Sequence, residues 1–311
     1  VAHAPSFLAW DFRLDSHIDV SGARDVFSLG IDATGLSDAG VLAANAASGA
    51  AGMLDAQIGT FRQRMGVNPY GDEGKVLSAF FRTWDRDGDV DPTHVAGNFG
   101  QGGDFAYHQN ASGNEVGINA NVFGNVHAGL VFGHADGRQR LSAGGGSNRM
   151  DGMAWGWYAT WFAPRGFYVD LSGRWMAVDI ASTSSAGRVN GRARTGAWNL
   201  EAGYEWNVGG LSVVPQLQYT RTKVEGDARS VQDDGTAFVS QGASSRGRLG
   251  VEVSKTFAVG NVRWTPYGSL NAVREFDGGY AYLVADGFVG PTGTKGTSAM
   301  AELGVGMQAR G

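Results

Sequence analysis

The sequence lacks several features that would assign it to common classes of protein. It has no cysteine, which excludes a disulfide framework and any thiolate metal site. No stretch approaches the ~18–20 consecutive apolar residues of a membrane-spanning helix. Lysine and arginine form no basic block and the net charge is -5, so we expect no binding to nucleic acid. The N-terminus shows no signal-peptide pattern.

Glycine and aromatic residues, in contrast, are frequent. The 311 residues include 50 glycines and 9 tryptophans but only 7 prolines. Glycine suits tight turns and allows backbones to approach closely. The composition therefore favours one β-rich unit, although the length would also allow two ordinary domains.

The segment 167–176 shows a pattern that the rest of the chain repeats. Its residues alternate between an apolar face and a polar face, as in a two-faced strand. The apolar face holds Phe167, Val169, Leu171, Gly173 and Trp175, and the polar face holds Tyr168, Asp170, Ser172, Arg174 and Met176. In segment 197–207 the same two faces hold Trp198, Leu200, Ala202, Tyr204 and Trp206, and Asn199, Glu201, Gly203, Glu205 and Asn207.

A membrane barrel explains both faces at once. Lipid covers the outward apolar residues, aromatic residues lie at the two interfaces, and the lumen accepts the inward charges. The dry core of a soluble sandwich would reject those charges. We therefore predict an all-β fold, an outer-membrane antiparallel β-barrel. Because such a protein must be exported, we expect Val1 to lie inside a longer precursor.

The alternation predicts ten strands joined by connections of two kinds. The strands are 76–84, 115–122, 126–134, 153–162, 167–178, 197–206, 211–224, 248–257, 262–276 and 298–310. Tight turns are predicted at 123–125, 163–166, 207–210 and 258–261, and long polar loops at 85–114, 135–152, 179–196, 225–247 and 277–297. Short turns on one rim and long loops on the other are typical of outer-membrane barrels, whose short turns face the periplasm.

A helix is predicted ahead of the first strand. Residues 1–36 contain two short strand-like pieces, after which Ser37-Asp38 offers an N-cap. The helix runs from residue 39 to 65 and stops at Gly66. We expect one helix, in which Gly49 or Gly52 would allow a kink.

The predicted helix has the length and composition to thread a barrel. At 1.5 Å per residue it would extend ~40 Å, which is enough to cross a barrel of bilayer height. Its small, modestly polar side chains suit a charged lumen, although an amphipathic helix packed on a soluble domain would have a similar composition. Its candidate contact residues are Leu54, Ile58, Phe61, Arg62 and Met65.

With helix and strands placed, the chain resembles the translocator domain of bacterial autotransporters, the type V secretion proteins. The resemblance runs from Ala39 to Gly311. It rests on VHAGLVFGHADG, GWYATWFAPRGFYVDLSGRW, NLEAGYEWNVGGLSVVPQLQYTRTKVEG, GRLGVEVSKTF, WTPYGSLNAVREFDG and AELGVGMQAR. Each segment alone is a weak motif, but their order, spacing and turn placement together are specific.

The resemblance implies a function and an organisation. The domain would carry an N-terminal passenger to the bacterial cell surface, with outer-membrane lipid, the barrel-assembly machinery and its own passenger as partners. Residues 1–36 would be the end of the passenger and a linker, 37–66 a pore-threading helix and 74–311 the barrel. The N-terminus of the helix and the long loops would face the cell exterior.

The resemblance also predicts an incomplete wall. The family barrel has twelve strands and a terminal aromatic residue, whereas we identify ten strands and no such residue. We therefore expect the last two strands to be missing. Strand 298–310 should then have no pairing with strand 76–84.

Charged residues on the polar faces are the candidate lumen-facing positions. They are Arg82, Asp170, Arg174, Glu201, Glu205, Arg248, Glu252, Arg263, Glu302 and Arg310. Most should be solvated or paired across the lumen, and the rest should contact the helix. Their mixed signs argue against a strongly ion-selective pore. We predict no cofactor.

The first long loop contains an acidic run. Asp85, Asp87, Asp89 and Asp91 occupy alternate positions, as in oxygen-rich clusters that hold Ca²⁺. The run lacks the glycine and the distal glutamate of an EF-hand. A solvated loop without metal is therefore the preferred interpretation.

Two alternatives stay open from the residues alone: a barrel protease or lipase, and a porin-like channel. His94, His108 and His134 lie in or beside outer loops and could pair with aspartate or serine, whereas His127 lies near the opposite rim. No serine lies in a recognisable nucleophile context. Neither alternative requires a threading helix, so we expect no enzyme.

Some autotransporters cleave their own passenger with an asparagine of the helix and acidic residues of the wall. Asn45 is the only asparagine in the predicted helix. It lacks the Asn-Asn pair of the best-known self-cleaving group. Self-cleavage therefore has no support in the sequence.

Overall fold

The computed structural model describes residues 10–19, 26–65, 77–94, 104–185, 187–230, 237–284 and 289–309. Antiparallel strands dominate these ranges, and two helices precede the large sheet. Neither helix combines the length and apolar character needed to cross a membrane.

The two strand-like pieces near the N-terminus pair with each other. Strand β1 (Trp10–Asp19) and strand β2 (Val26–Leu36) form an antiparallel two-stranded sheet with a register shift after Asp11. This sheet is separate from the large one. The alternation of the sequence indicated both strands but not their pairing.

The single helix predicted over residues 39–65 is wrong, because the structure has two. Helix α1 (Asp38–Ile58) begins at the predicted N-cap, where the Ser37 hydroxyl accepts a hydrogen bond from Gly40 N. It ends at Gly59, whose φ of 58° few other residues tolerate.

Helix α2 (Phe61–Met65) begins with a capping box. Thr60 N donates to Gln63 Oε1 at 3.0 Å, and Gln63 N donates to Thr60 Oγ1 at 3.2 Å. The chain therefore breaks at residues 59 and 60. Gly49 and Gly52, where the sequence allowed a kink, stay inside α1.

Within the described ranges, fifteen strands form the large sheet. They are β3 (Leu77–Val90), β4 (Thr93–His94), β5 (Tyr107–Phe123), β6 (Val126–Leu141), β7 (Gly146–Phe162), β8 (Phe167–Ser184), β9 (Gly187–Tyr204), β10 (Trp206–Val208), β11 (Leu211–Ser230), β12 (Ala237–Ser254), β13 (Phe257–Val259), β14 (Val262–Glu275), β15 (Gly279–Val284), β16 (Val289–Gly293) and β17 (Gly296–Ala309). The short strands β4, β10, β13, β15 and β16 continue longer neighbours. The sheet therefore contains the ten long segments that the sequence predicts.

The predicted long loops are wrong over most of their length, because the strands continue through them. Between β6 and β7, for example, only residues 142–145 connect strands that the sequence ended at 134 and restarted at 153. Apolar alternation stops at these points, but backbone hydrogen bonding does not require an apolar face. The tight turns lie where they were predicted, with Gly124, Gly166 and Gly260 at positive φ.

The sheet carries apolar side chains on its outer face and charged side chains on its inner face. Its outward side chains form a band of exposed apolar residues, here called the apolar band, which includes Leu130, Phe132, Trp155, Leu171 and Leu200. Its inward side chains include buried charges such as Glu115, Asp170, Arg174, Glu201 and Glu252. A protein surrounded by water would show the reverse arrangement.

The sheet curls around helix α1. Strands β3, β5–β9, β11, β12 and β15 all contact the helix. Accordingly most of α1 is buried, including polar residues such as Asn45, Ser48 and Gln57. Buried polar groups need hydrogen-bond partners, and the wall residues that supply them form the candidate site below.

The sheet closes at one end and stays open at the other. At the extended end, β16 pairs with β4 through Thr292 with His94 and Gly293 with Thr93. At the short-turn end, within the described ranges, β3 pairs only with β5 and β17 only with β14. No ladder joins β3 and β17 there, as the sequence predicted.

Candidate functional site

Small residues set the distance between helix α1 and the wall. A Cβ atom added at Gly137 would lie 2.6 Å from Met53 Sδ, and one added at Gly49 would lie 2.5 Å from Gln139 Nε2. Both distances are shorter than any normal contact. Glycine at these positions therefore permits the close approach of helix and wall.

Amide side chains of the wall hold the backbone of α1. They donate from Gln109 to Gly49 O at 3.0 Å, from Gln139 to Asn45 O at 3.2 Å and from Asn148 to Leu42 O at 2.9 Å. These bonds come from β5, β6 and β7 and follow one side of the helix. They fix both its height and its rotation within the sheet.

Asn45, the only asparagine of the helices, is buried against the wall. Its Nδ2 donates to Phe105 O at 2.9 Å. No carboxylate of the described chain hydrogen-bonds to its side chain, and its Oδ1 is buried without a partner.

Arg82 of β3 caps the end of α1. Its guanidinium donates to Gln57 O at 3.0 Å and to Ala56 O at 3.3 Å. A cation at this end of a helix meets carbonyl oxygens that lack partners within the helix. Arg82 also lies 3.2 Å from Glu115 Oε1, and Gln57 Nε2 donates to Glu115 Oε2 at 3.2 Å. One buried cluster thus joins α1, β3 and β5.

The two arginines of α2 form ion pairs with the opposite side of the wall. Arg62 Nε donates to Glu252 Oε1 at 2.8 Å, and Arg62 Nη1 donates to Glu205 Oε2 at 3.3 Å. Arg64 Nη2 donates to Asp170 Oδ1 at 2.5 Å. These pairs are buried apart from Glu205, which is 14% exposed. Three charged residues predicted to face the lumen therefore contact the helical segment.

Glu201 meets the start of α2. Its carboxylate accepts hydrogen bonds from Phe61 N at 3.0 Å and from the Tyr168 hydroxyl at 2.7 Å. The rings of Phe61 and Tyr168 lie 4.6 Å apart, in a small apolar cluster with Phe162 and Val214. The short helix is thus fixed by both polar and aromatic contacts.

In the described chain, the remaining predicted inward charges form no hydrogen bond or ion pair with the helices. Arg174 is fully buried and donates to Trp157 O at 3.3 Å. Arg248 Nη1 lies 3.7 Å from Glu302 Oε2. Arg263 lines a cavity of about 1540 Å³ between the helices, β3 and β17, together with Arg248 and Glu302. Arg310 lies outside the described residues.

The predicted contact residues of the helix are mostly in apolar or ionic contacts. Leu54 and Ile58 belong to the main apolar cluster inside the sheet, and Phe61 belongs to the aromatic one. Arg62 is ion-paired as above. Met65 ends α2, and its side chain lies outside the described residues.

The predicted acidic loop is also wrong. Asp85, Asp87 and Asp89 lie within β3 rather than in a loop, and their side chains are exposed. Asp89 Oδ1 lies 2.8 Å from His108 Nδ1, and Asp87 Oδ2 lies 3.0 Å from His108 Nε2. The hydrogen bond with Asp89, helped by the charge of Asp87, raises the pKa of His108.

A similar cluster surrounds His134 on the outer face. Its Nε2 lies 3.1 Å from Asp151 Oδ2, and its Nδ1 lies 3.5 Å from Asp136 Oδ2. The three residues offer ligand atoms within 4.8 Å of one another and could hold a metal ion. No serine of the described chain hydrogen-bonds to His134 or His108.

The other two candidate histidines, His127 and His94, lie elsewhere. His127 is buried inside the sheet, where its ring packs edge-on against Phe162 at 5.3 Å. His94 belongs to β4, and its side chain lies outside the described residues. The four histidines therefore do not form one site in the described chain.

The sequence analysis missed the neutral wall residues that hydrogen-bond to helix α1. Gln109, Gln139 and Asn148 of the wall each donate one hydrogen bond to a backbone carbonyl of α1. Each wall amide lies on the inward parity of its strand. That parity was a usable signal, but only charged residues were selected from it.

The comparisons with known proteins agree with this architecture. The family described as Autotransporter beta-domain matches residues 93–310. The pertactin autotransporter of Bordetella bronchiseptica (strain RB50) is 32% identical over 214 residues, which are 65% of this chain and 23% of that protein. The probable autotransporter YcgV of Escherichia coli (strain K12) is 27% identical over 168 residues, 51% of this chain and 17% of that protein.

A solved structure gives the same fold. The translocator domain of the autotransporter NalP from Neisseria meningitidis matches with a TM-score of 0.55 and 13% identity, covering 87% of this chain and 99% of that chain. The chain spans less than a quarter of the length of the curated relatives that it matches.

Proposed function

Because the chain belongs to the autotransporter β-domain family, we propose that it delivers an N-terminal passenger across the outer membrane to the cell surface. The observation that carries this proposal is a helix seated inside a curled sheet by buried ion pairs and wall amides. A porin-like channel has no need of such a helix. The chain before α1 is then the segment that the barrel exports.

The course of the helices supports an outward direction for that segment. Asp38, at the start of α1, accepts a hydrogen bond from Ser185, beside the junction of the extended strands β8 and β9. Helix α2 lies against Phe162 and Tyr168, which flank the short turn at residues 163–166. With short turns in the periplasm, the chain preceding Asp38 leaves at the cell exterior.

The same reasoning supports the proposed boundaries and partners. Residues 1–36 are the passenger end and linker, 37–66 the pore segment and 74–311 the barrel. Outer-membrane lipid contacts the apolar band. Unpaired strand edges cost several kcal/mol per backbone group in lipid, so insertion and closure call for the barrel-assembly machinery.

Deleting the helices tests the pore segment. In the full-length protein, removal of residues 38–65 should leave the barrel folded, because the wall's backbone hydrogen bonds do not involve the helix. Single-channel conductance in a planar bilayer should rise. Equal conductance with and without the segment would place the helices outside the conducting path.

Surface labelling tests delivery itself. An epitope inserted between residues 20 and 25 of the full-length protein should become accessible to antibody on intact cells. An epitope in the turn at 209–210 should become accessible only after the cells are permeabilised. The reverse result would contradict the proposed orientation, whatever the conductance of the pore.

A further inference from the structure

Two arginines lie directly opposite each other on the outer face of the sheet. Arg138 of β6 pairs in register with Arg149 of β7, and both side chains are exposed. Like charges in directly opposed cross-strand positions destabilise a sheet unless an outside counter-charge compensates. The pair is here called the arginine pair.

The neighbouring carboxylates do not neutralise the arginine pair. Asp136 and Asp151, one step nearer the apolar band, both face His134. Asp179, on the next strand, accepts a hydrogen bond from Arg192 at 2.7 Å. Within the described ranges no carboxylate lies within ion-pair distance of the arginine pair. Both guanidinium groups therefore keep their donors for a partner outside the chain.

The height of the pair above the apolar band identifies the environment of that partner. Met153 is the outermost apolar residue on the outer face of β7. Arg149 lies four positions farther from the apolar band along the same strand. Four residues span ~14 Å along a strand, or ~10 Å in height at a tilt of ~45°. Lipid headgroups extend ~5–8 Å beyond the hydrocarbon core, within reach of a long arginine side chain.

The two guanidinium groups limit which class of lipid headgroup can bind. Guanidinium groups bind phosphate oxygens through paired, charge-assisted hydrogen bonds. Two adjacent guanidinium groups match a phosphate monoester, which carries more than one negative charge near pH 7. We propose that the arginine pair binds the phosphate monoester headgroup of a membrane lipid whose acyl chains lie along the apolar band. This inference depends on membrane embedding and is independent of passenger delivery.

Native mass spectrometry of the full-length protein tests the proposal. The protein, released from micelles, would be titrated with phosphatidic acid, whose headgroup is a phosphate monoester, and with neutral phosphatidylcholine. We expect one phosphatidic acid to be retained in preference to phosphatidylcholine. Replacing both arginines (Arg138→Gln with Arg149→Gln) should weaken its binding about tenfold or more.

A matched variant separates a specific site from general attraction. Arg192→Gln removes one positive charge from the same face, as each single arginine variant does, but its guanidinium already has Asp179 as a partner. It should leave phosphatidic acid binding unchanged. Equal losses in both variants, or no preference in the unmodified protein, would overturn the proposal.

Two further controls are a competition with free phosphate and the two single arginine variants. Inorganic phosphate at millimolar concentration should not displace the lipid, because it lacks the acyl chains that contact the apolar band. Displacement by free phosphate would show a soluble-anion site and contradict the lipid assignment. If the double variant does not fold, each single arginine variant should show a smaller loss, and no loss in either would overturn the proposal.

Discussion

Arg62 Nε lies 2.8 Å from Glu252 Oε1, and the two residues are separated by 190 positions in the sequence. Both side chains are 2% exposed. The contact joins the short helix α2 to strand β12 inside the sheet. The ion pair therefore couples α2 to the wall through side chains, while the backbone hydrogen bonds of the wall do not involve the helix.

Breaking this ion pair should destabilise the folded protein. Arg62→Met leaves Glu252 buried without its guanidinium, and the loss of one partner of a buried pair costs ~3–5 kcal/mol. The double variant with Glu252→Met should lose less than the sum of the two single variants. Denaturant unfolding in detergent measures all three, and strict additivity would show that the contact contributes nothing.

Placing a charge in the apolar band should be costly. Leu200 of β9 faces outward and is 44% exposed. Leu200→Arg should lower the free energy of unfolding from lipid vesicles by ~2–4 kcal/mol if the position lies near the bilayer midplane. Asn190→Arg, on the same face of β9 beyond the band, is the control and should change it little. Similar effects of both substitutions would contradict the position of the band.

Filling the space between helix and wall should displace the helix. Gly137→Leu puts a branched side chain where Met53 Sδ now lies, and such overpacking costs ~1–3 kcal/mol. Gly88→Leu is the matched control, since a Cβ atom at Gly88 would meet nothing within 4 Å. Hydrogen exchange of the α1 amides should increase only in the first variant. Unchanged exchange in both would show that the contact is not tight.

The His108 cluster should respond to pH. Since the hydrogen bond with Asp89 raises the pKa of His108, its stabilising effect is complete below the usual histidine pKa and is lost as pH rises through the raised value. Asp89→Asn should lower the pKa of His108, as followed by the imidazole proton shifts in NMR. Asp85→Asn is the control, because Asp85 does not contact the ring. An unchanged His108 pKa in Asp89→Asn would show that the hydrogen bond does not form.

The sequence predicted the parts of the fold that depend on period-two alternation. Leu171, Trp198 and Leu200 are exposed on the outer face, and Asn199 and Glu201 are buried inside the sheet. The short turns were predictable because glycine marks positive φ angles, as at Gly124 and Gly260. The same local signals could not show how far each strand extends. Pairing beyond the apolar band is decided by backbone hydrogen bonds, which leave no apolar pattern.

The break between the two helices and the wall contacts that hold them depend on residues far apart in the sequence. The sequence indicated Gly49 or Gly52 as kink positions, whereas the break falls at Gly59, ahead of the Thr60–Gln63 capping box. Only the wall resolves this choice, because Gly49 packs against Gln139 and stays helical. Likewise, the pairing of Arg64 with Asp170 joins residues 106 positions apart.

The pairing of β4 with β16 has a consequence for the order of assembly. This pairing joins positions about 200 residues apart through only two residue pairs. Closing so long a loop costs chain entropy, and two residue pairs offset little of that cost. We expect this closure to form late, after the hairpins of the wall. The wall would then form around the helix, and the helix would not be inserted through a finished pore. Pulsed hydrogen exchange should protect the α1 amides before those of Thr93 and His94, and the opposite order would rule out this sequence of events.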